Sequence, residues 1–278
     1  MGRLHSVIIW PRTIEMIVTE SKDKTVLAQM GEVFPRDKYD KVSFDGKGLS
    51  SEKAYVAWLD IMGAGAAMRR SLDAASVMVG KFHASIINAY REAVAKDKSF
   101  TEVQIHSLTD GAYIVAHSPE RMQSALRYIM KHLVQVFLES SFENKFMIRS
   151  AVAYGKIVSA ATMSGKLIGE KQNQAIGAEH VRNVTLGAPF EKAYKGETYA
   201  PPFGVYLDET AEREGEFGEG RVWKWWDEKK AIQVEWCKEL NIVLQRYLAE
   251  ILNHYYVYGV QAEKISNYSA RCTSYFAQ

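Results

Sequence analysis

The stretch AYVAWLDIMGAG, residues 54 to 65, decides the fold. Its first eight residues have the length and the aromatic and β-branched content of a strand. The run ends in a single carboxylate, Asp60, and breaks at once into small residues and glycine. A strand end inside a core is a costly place for a lone charge, which needs a partner, a metal or hydrogen bonds to stay ionised. Whatever answers Asp60 must therefore come from elsewhere in the chain or from a bound cation.

Downstream, AAMRRSLDAASVMVGKFHASIINAYREAVAK carries helical periodicity, so the strand feeds one or two helices. TEVQIHSL and AYIVAHS are strand-like and flank Asp110-Gly111, a hairpin signal that places a second aspartate at its tip. In SPERMQSALRYIMKHLVQVFLESS, Ser118 is an N-cap candidate and Pro119 suits the first helical position. FMIRSAVAYGKIV returns to strand, ending at Gly155, and the polar residues 156 to 180 read as loop. VTLGAPFEKAYKGE offers Gly187 and Pro189 at a helix start, FGVYLDETAERE reads as strand, turn and short helix, and RVWKWWDE as a late strand. KKAIQVEWCKELNIVLQRYLAEILNHYY is a long helical pattern. This order fits an α+β or α/β sandwich of helices on one sheet, of which α+β is the class expected. The expected organisation is an N-terminal extension and linker over residues 1–50, a central domain over 51–227 and a C-terminal helical extension over 228–278.

The chain's 278 residues include 35 basic and 33 acidic ones, a formal net charge of +2, so no broad basic field points to nucleic acid. No apolar run reaches bilayer-spanning length, and the opening MGRLHSVIIWPR lacks a signal peptide's apolar segment. A cytoplasmic protein with no membrane partner is expected. Cys237 and Cys272 have no metal-ligand spacing and are expected to be reduced.

Asp60 and Asp110, at a strand end and a neighbouring hairpin tip, can be brought together by adjacent strands. Two such carboxylates repel unless a cation lies between them, and a hard divalent ion beside phosphate oxygens suits them. Taken alone, a strand-end aspartate is more often a turn or helix-cap residue than a metal ligand.

In order along the chain, WLDIMGA, SLTDGAYIVAHS and IRSAVAYGKIV resemble the successive motifs of class III nucleotide cyclase catalytic domains. The family's Phe-x-Asp-Ile-x-Gly-Phe is matched by Trp58, Asp60, Ile61 and Gly63, its metal hairpin by Asp110, and its Arg-x-Gly-Ile-x-x-Gly strand by Arg149 and Gly155. The resemblance implies a ferredoxin-like, palm-type sheet covered by helices and a head-to-tail homodimer. It implies that Asp60, Asp110 and the Ile61 carbonyl hold two divalent cations, Mn2+ or Mg2+, on a nucleoside triphosphate. The ribose 3′-hydroxyl then attacks the α-phosphorus and pyrophosphate leaves, stabilised as in two-metal catalysis.

Departures from the family pattern bear on the substrate. His106 stands where purine cyclases carry a base-reading lysine or acid, and Trp58 is a bulkier wall than the usual phenylalanine. Both changes suit a pyrimidine, although a core tryptophan and an ordinary strand histidine explain them as well. In GAPFEKAYK, Glu191 and Lys195 occupy the family's transition-state Asn and Arg positions, and they also match a plain i, i+4 surface pair. Lys224, with Arg221 in GRVWKWW, falls where the family supplies a triphosphate-binding lysine.

The helix motif and FGVYLDETA resemble the bacterial Pycsar pyrimidine cyclases of antiphage defence. That resemblance implies UTP, less so CTP, as substrate, and a cyclic product that acts on a separate effector protein. The competing readings are a purine cyclase, a diguanylate-cyclase-like or polymerase-palm enzyme, which SLTDGAY without a Gly-Gly-Asp/Glu-Glu-Phe tip argues against, and an inactive nucleotide-binding dimer.

Overall fold

Residue 58 is buried on one face of a strand while residues 57 and 59 are buried on the other, and this double burial organises the molecule. The computed structural model describes residues 43–45, 47–168, 181, 184–214, 216–218 and 220–276. The N-terminal extension expected over 1–50 lies outside the described residues up to position 42. The chain divides into two units, Met1–Gly46 with Ser164–His180, and Lys47–Met163 with Val181–Gln278. In the first, Ser43–Phe44 pairs antiparallel with Leu167–Ile168.

The second unit is built on a six-stranded sheet. Its strands are β1 (Glu52–Ile61), β2 (Gln104–Ser107), β3 (Gly111–Ala116), β4 (Ile148–Ile157), β5 (Val205–Leu207) and β6 (Val222–Trp223). They lie in the order β2-β3-β1-β4-β5-β6. Every neighbouring pair is antiparallel except β4 and β5, so the sheet is mixed. The α+β class expected from the sequence is what the chain adopts.

β1 lies between β3 and β4, with both faces covered. Tyr55, Ala57, Leu59 and Ile61 point into the main core, and Ala54, Val56 and Trp58 into a smaller one, as strand alternation requires. The main core is closed by α2 (Leu72–Lys96), which follows the short α1 (Ala64–Arg70), and by α3 (Pro119–Glu139). Ser71 and Ser118 cap α2 and α3, accepting from the amides of Ala74 and Arg121. Pro119 stands in the first turn of α3, as its sequence predicts. Phe82 and Ile86 of α2 and Leu126, Leu133 and Phe137 of α3 are buried, each contributing about 1.5–3 kcal/mol by leaving water.

The smaller core is closed by α4 (Ala188–Gly196), which starts at Gly187 and Pro189 as expected. After β5 comes α5 (Glu209–Arg213), capped by Asp208.

Several boundaries differ from the sequence expectation. Thr101 and Glu102 belong to a 3-10 turn, Lys98–Glu102, capped by Asp97, so β2 begins only at Gln104. β4 continues through Gly155 to Ile157, because its ladder with β1 extends to Glu52. The expected loop from 156 also contains a helical turn, Ala160–Ser164. Residues 169–180 lie outside the described residues.

The late strand shrinks to Val222–Trp223, because the next tryptophans enter the core, where Trp225 Nε1 donates to the Phe203 carbonyl at 2.8 Å. The C-terminal helical pattern resolves into α6 (Ala231–Asn253), α7 (Tyr255–Tyr258) and α8 (Ala262–Phe276). Leu240, Leu244 and Leu248 of α6 and Ile265 and Cys272 of α8 join the main core.

Among the described residues, no helix is long and apolar enough to cross a membrane.

Candidate active site

Asp60 occupies the last turn-side position of β1 that is paired on both sides, with Gly111 in β3 and Arg149 in β4 as its direct partners. The hairpin turn is tied beside it, since the Ile61 amide donates to the Asp110 carbonyl at 3.0 Å and the Leu108 amide to the Gly111 carbonyl at 2.9 Å. The sheet thus brings Asp60 and Asp110 to one end, as the sequence predicts. Asp110's carboxylate has no ion pair or hydrogen bond among the described residues.

Asp60 is met by an arginine. Arg149 donates to Asp60 Oδ2 from Nε at 3.2 Å and lies 3.1 Å from it at Nη2. The same guanidinium donates to Glu197, from Nε to Oε2 at 2.6 Å and from Nη2 to Oε1 at 2.7 Å. Glu197, just past α4, is one of the few buried charged residues among the described ones, 6% exposed. Burial pushes the Asp60 carboxyl up and Asp110 adds to this, whereas Glu197 and Arg149 pull it down. Glu197 is raised by burial first and then by Asp60, against the pull of Arg149. The half-buried Asp60 and the buried Glu197 thus share one guanidinium.

The row beside this cluster holds the base-pocket candidates. Trp58 pairs with Tyr113, and Tyr113 with His106, so the three lie in one cross-strand line on the face that carries Asp60. The Trp58 ring packs on Tyr113 at 4.5 Å and on Tyr194 of α4 at 5.8 Å between centroids. It is 3% exposed, as a core aromatic would be. Its Nε1 and both ring nitrogens of His106 are buried and have no partner among the described residues. Desolvation holds the His106 pKa below its ordinary value, so the ring is neutral near pH 7. Unpaired buried donors and acceptors of this kind are costly and call for a partner.

The remaining candidates stand apart from Asp60. Lys195 pairs with Glu191 at 2.6 Å on the exposed side of α4, with side chains 71% and 66% exposed. Lys224 pairs with Glu228 and lies over the Trp226 ring, 5.8 Å from its centroid. Arg221 pairs with Glu212 at 3.3 Å. Within one copy of the chain, none of these three cations touches the Asp60 cluster. Sequence reasoning missed Glu197, because no local pattern marks a glutamate that finds its partner in a strand 48 positions earlier.

A divalent cation fits these residues. Among the described residues no group of three or more His, Cys, Asp or Glu side chains is gathered around a common point. The unpaired Asp110 and the shared Asp60 nevertheless offer hard oxygen donors, and substrate phosphates complete such a shell.

No protein family and no curated protein matches this sequence. Solved structures do resemble it. The monomeric guanylyl cyclase domain of the RhoGC fusion protein from the aquatic fungus Blastocladiella emersonii is 14% identical, covering 60% of this chain and 87% of that one with a TM-score of 0.39. The guanylate cyclase domain of RhGC from Catenaria anguillulae, in complex with GTP, is 12% identical over 60% and 84% of the two chains, TM-score 0.37. An adenylate/guanylate cyclase/hydrolase from Silicibacter pomeroyi is 12% identical over 60% and 81%, TM-score 0.42. These overlays are loose.

Proposed function

We propose that this chain is a nucleotidyl cyclase that converts a nucleoside triphosphate to its 3′,5′-cyclic monophosphate and pyrophosphate. The observation that carries the reading is the meeting of Asp60 and Asp110 at one sheet end, on the face that also presents Arg149, Trp58 and His106. Asp60, Asp110 and the Ile61 carbonyl would hold two Mn2+ or Mg2+ ions. When bound, the ions supply charge stabilisation at the attacking and leaving oxygens. Asp60 and Asp110 would act on the triphosphate only by holding those cations, since like charges repel, and the buried Trp58 row keeps water from the base.

The substrate we assign is a pyrimidine triphosphate, UTP ahead of CTP. A neutral His106 offers a donor or an acceptor, according to its tautomer, that pairs with a pyrimidine edge. The bulk of Trp58 supports a small base. In a head-to-tail homodimer, Trp58, His106 and Lys195 of one copy serve the aspartates of the other. Lys195 brings positive charge to the transferring phosphate, Glu191 sets its position, and Lys224 contributes to triphosphate binding. On the resemblance to Pycsar enzymes, the cyclic product is a second messenger of antiphage defence that acts on a separate effector in the cytoplasm.

A second reading, a nucleotide-binding dimer without turnover, is favoured by the Glu191–Lys195 pair, which occupies the one cation on α4's exposed face assigned to the transition state.

Incubation of the purified protein with each of the four NTPs and Mn2+, with mass spectrometry of the products and Asp60→Ala alongside, tests the proposal. Cyclic UMP or cyclic CMP, lost in Asp60→Ala and on chelation with EDTA, is the expected result. Cyclic AMP or GMP would keep the metal site and overturn the base assignment. Nucleotide binding without product would favour the second reading.

A further inference from the structure

Asp60 and Arg149 sit directly opposite each other in the β1–β4 ladder, close enough for a full two-bond ion pair. Such a pair would leave Asp60 saturated and poor at holding a cation. The guanidinium is drawn elsewhere. Glu197 takes Nε and Nη2 at 2.6 and 2.7 Å, one oxygen for each, which is the parallel two-bond arrangement of a strong arginine–carboxylate clamp. Asp60 accepts only from Nε, at 3.2 Å on Oδ2, while Nη2 lies 3.1 Å from that same oxygen as an ion-pair contact. Oδ1 takes no bond from Arg149.

The chain fixes Glu197 at this point. α4 ends on Gly196, where a Cβ would stand 3.2 Å from the Ala151 Cβ and from Tyr206 Cδ1. The absence of a side chain lets the end of α4 press onto β4 and β5, and the next residue is delivered into the core beside Arg149. Glu197 is 6% exposed there, so water does not compete for its oxygens.

Resting on the assignment of Asp60 as a cation ligand, we infer that Glu197 is a positioning residue that keeps Asp60 available by limiting the Arg149 guanidinium to one longer contact at Oδ2. Glu197 touches neither substrate nor metal in this role; it also lies within hydrogen-bonding reach of Asp60 itself, and its effect on the cation site is exerted through Arg149. Replacing it with glutamine breaks the clamp without changing its shape, because the amide turns an N–H toward one of the arginine N–H groups. Arg149 then closes on Asp60 with both bonds.

The test is Mn2+ binding to the full chain without nucleotide, followed by electron paramagnetic resonance, for the wild type, Asp60→Asn, Glu197→Gln and the double variant Glu197→Gln/Arg149→Met. Circular dichroism establishes that each variant is folded at the temperature used. Glu197→Gln is expected to weaken Mn2+ binding about tenfold, the scale of a lost second-layer contact. The double variant, which removes the competing guanidinium, is expected to recover wild-type affinity or better. Unchanged binding in Glu197→Gln overturns the inference, and so does weakened binding that the double variant fails to restore. If Glu197→Gln does not fold, the double variant alone decides, and affinity below wild type overturns the inference. Asp60→Asn separates the underlying reading: Mn2+ binding that survives it would remove the metal assignment itself, whatever Glu197 does.

Discussion

Arg149 Nη2 stands 3.1 Å from Asp60 Oδ2 across the β1–β4 ladder, and the same nitrogen stands 2.7 Å from Glu197 Oε1. One guanidinium is therefore shared by the half-buried Asp60 and the buried Glu197, and the three side chains are not equivalent for stability. Asp60→Ala leaves Arg149 paired with Glu197, so it should cost no more than about 1 kcal/mol while abolishing product formation. Arg149→Met leaves two carboxylates facing each other without a cation and should cost about 3 kcal/mol. Denaturant unfolding of both variants beside the wild type checks the order. An Asp60→Ala protein less stable than Arg149→Met would contradict this charge balance.

Gly111 lies under the Trp58 ring. A Cβ there would overlap the ring and stand 2.6 Å from the Leu59 carbonyl oxygen, which belongs to the backbone and has no room to yield. Gly111→Ala should destabilise the protein by about 1–3 kcal/mol, the usual range for overpacking. Because Gly111 is also the ladder partner of Asp60, product formation should fall with it. Thermal melts and turnover of this one variant test both, and wild-type values in the two assays would contradict the close packing.

His106 gives the protein an acid-sensitive component. Burial lowers its pKa from the ordinary 6.5, so below pH 6.5 the unfolded chain takes up a proton that the folded chain refuses. The unfolded state then binds more protons, and stability falls as the pH drops from 6.5 toward the folded-state pKa. In His106→Gln this part of the slope should vanish. Melting temperatures measured across that interval check the sign, and a histidine contribution that grew on acidification would refute it.

Complementation tests the shared site. Asp60→Ala and Lys195→Ala chains, each inactive alone, should form mixed dimers with one competent site. An equal mixture should regain about a quarter of wild-type turnover, because half of randomly assorted dimers carry one working site of two. No recovery, with mixed dimers demonstrated by mass spectrometry, would rule out sites built from two copies.

The two cysteines should be inert in the folded protein. Cys237 and Cys272 are 2% and 0% exposed, and desolvation pushes both thiols up to about 12. A thiol reagent at pH 8 should label neither in buffer and both in guanidinium. Rapid labelling of the native protein would mean that α6 and α8 open easily.

Local chemistry made part of this molecule legible in its sequence. Alternating and continuous apolar runs marked β1 and β3, Ser118-Pro119 and Gly187 to Pro189 marked helix starts, and Asp110-Gly111 marked the hairpin, because each signal acts within a few residues. Asp60 was recognisable as a charge in need of an answer for the same reason. The partner that meets it in this structure was not. Arg149 reaches Asp60 only through the register of two strands 89 positions apart, and Glu197 reaches Arg149 only because Gly196 lets α4 settle on the sheet. Likewise, the sequence could offer Trp58 and His106 as pocket residues, but their alignment in one row through Tyr113, with three ring nitrogens left unpaired, depends on strand order. Sequence by itself determined which segments form strands and helices and where the carboxylates fall along them, since propensity, capping and turn chemistry are local. Only the tertiary structure decided which charges meet, because register and close packing bring together residues that carry no signal of one another along the chain.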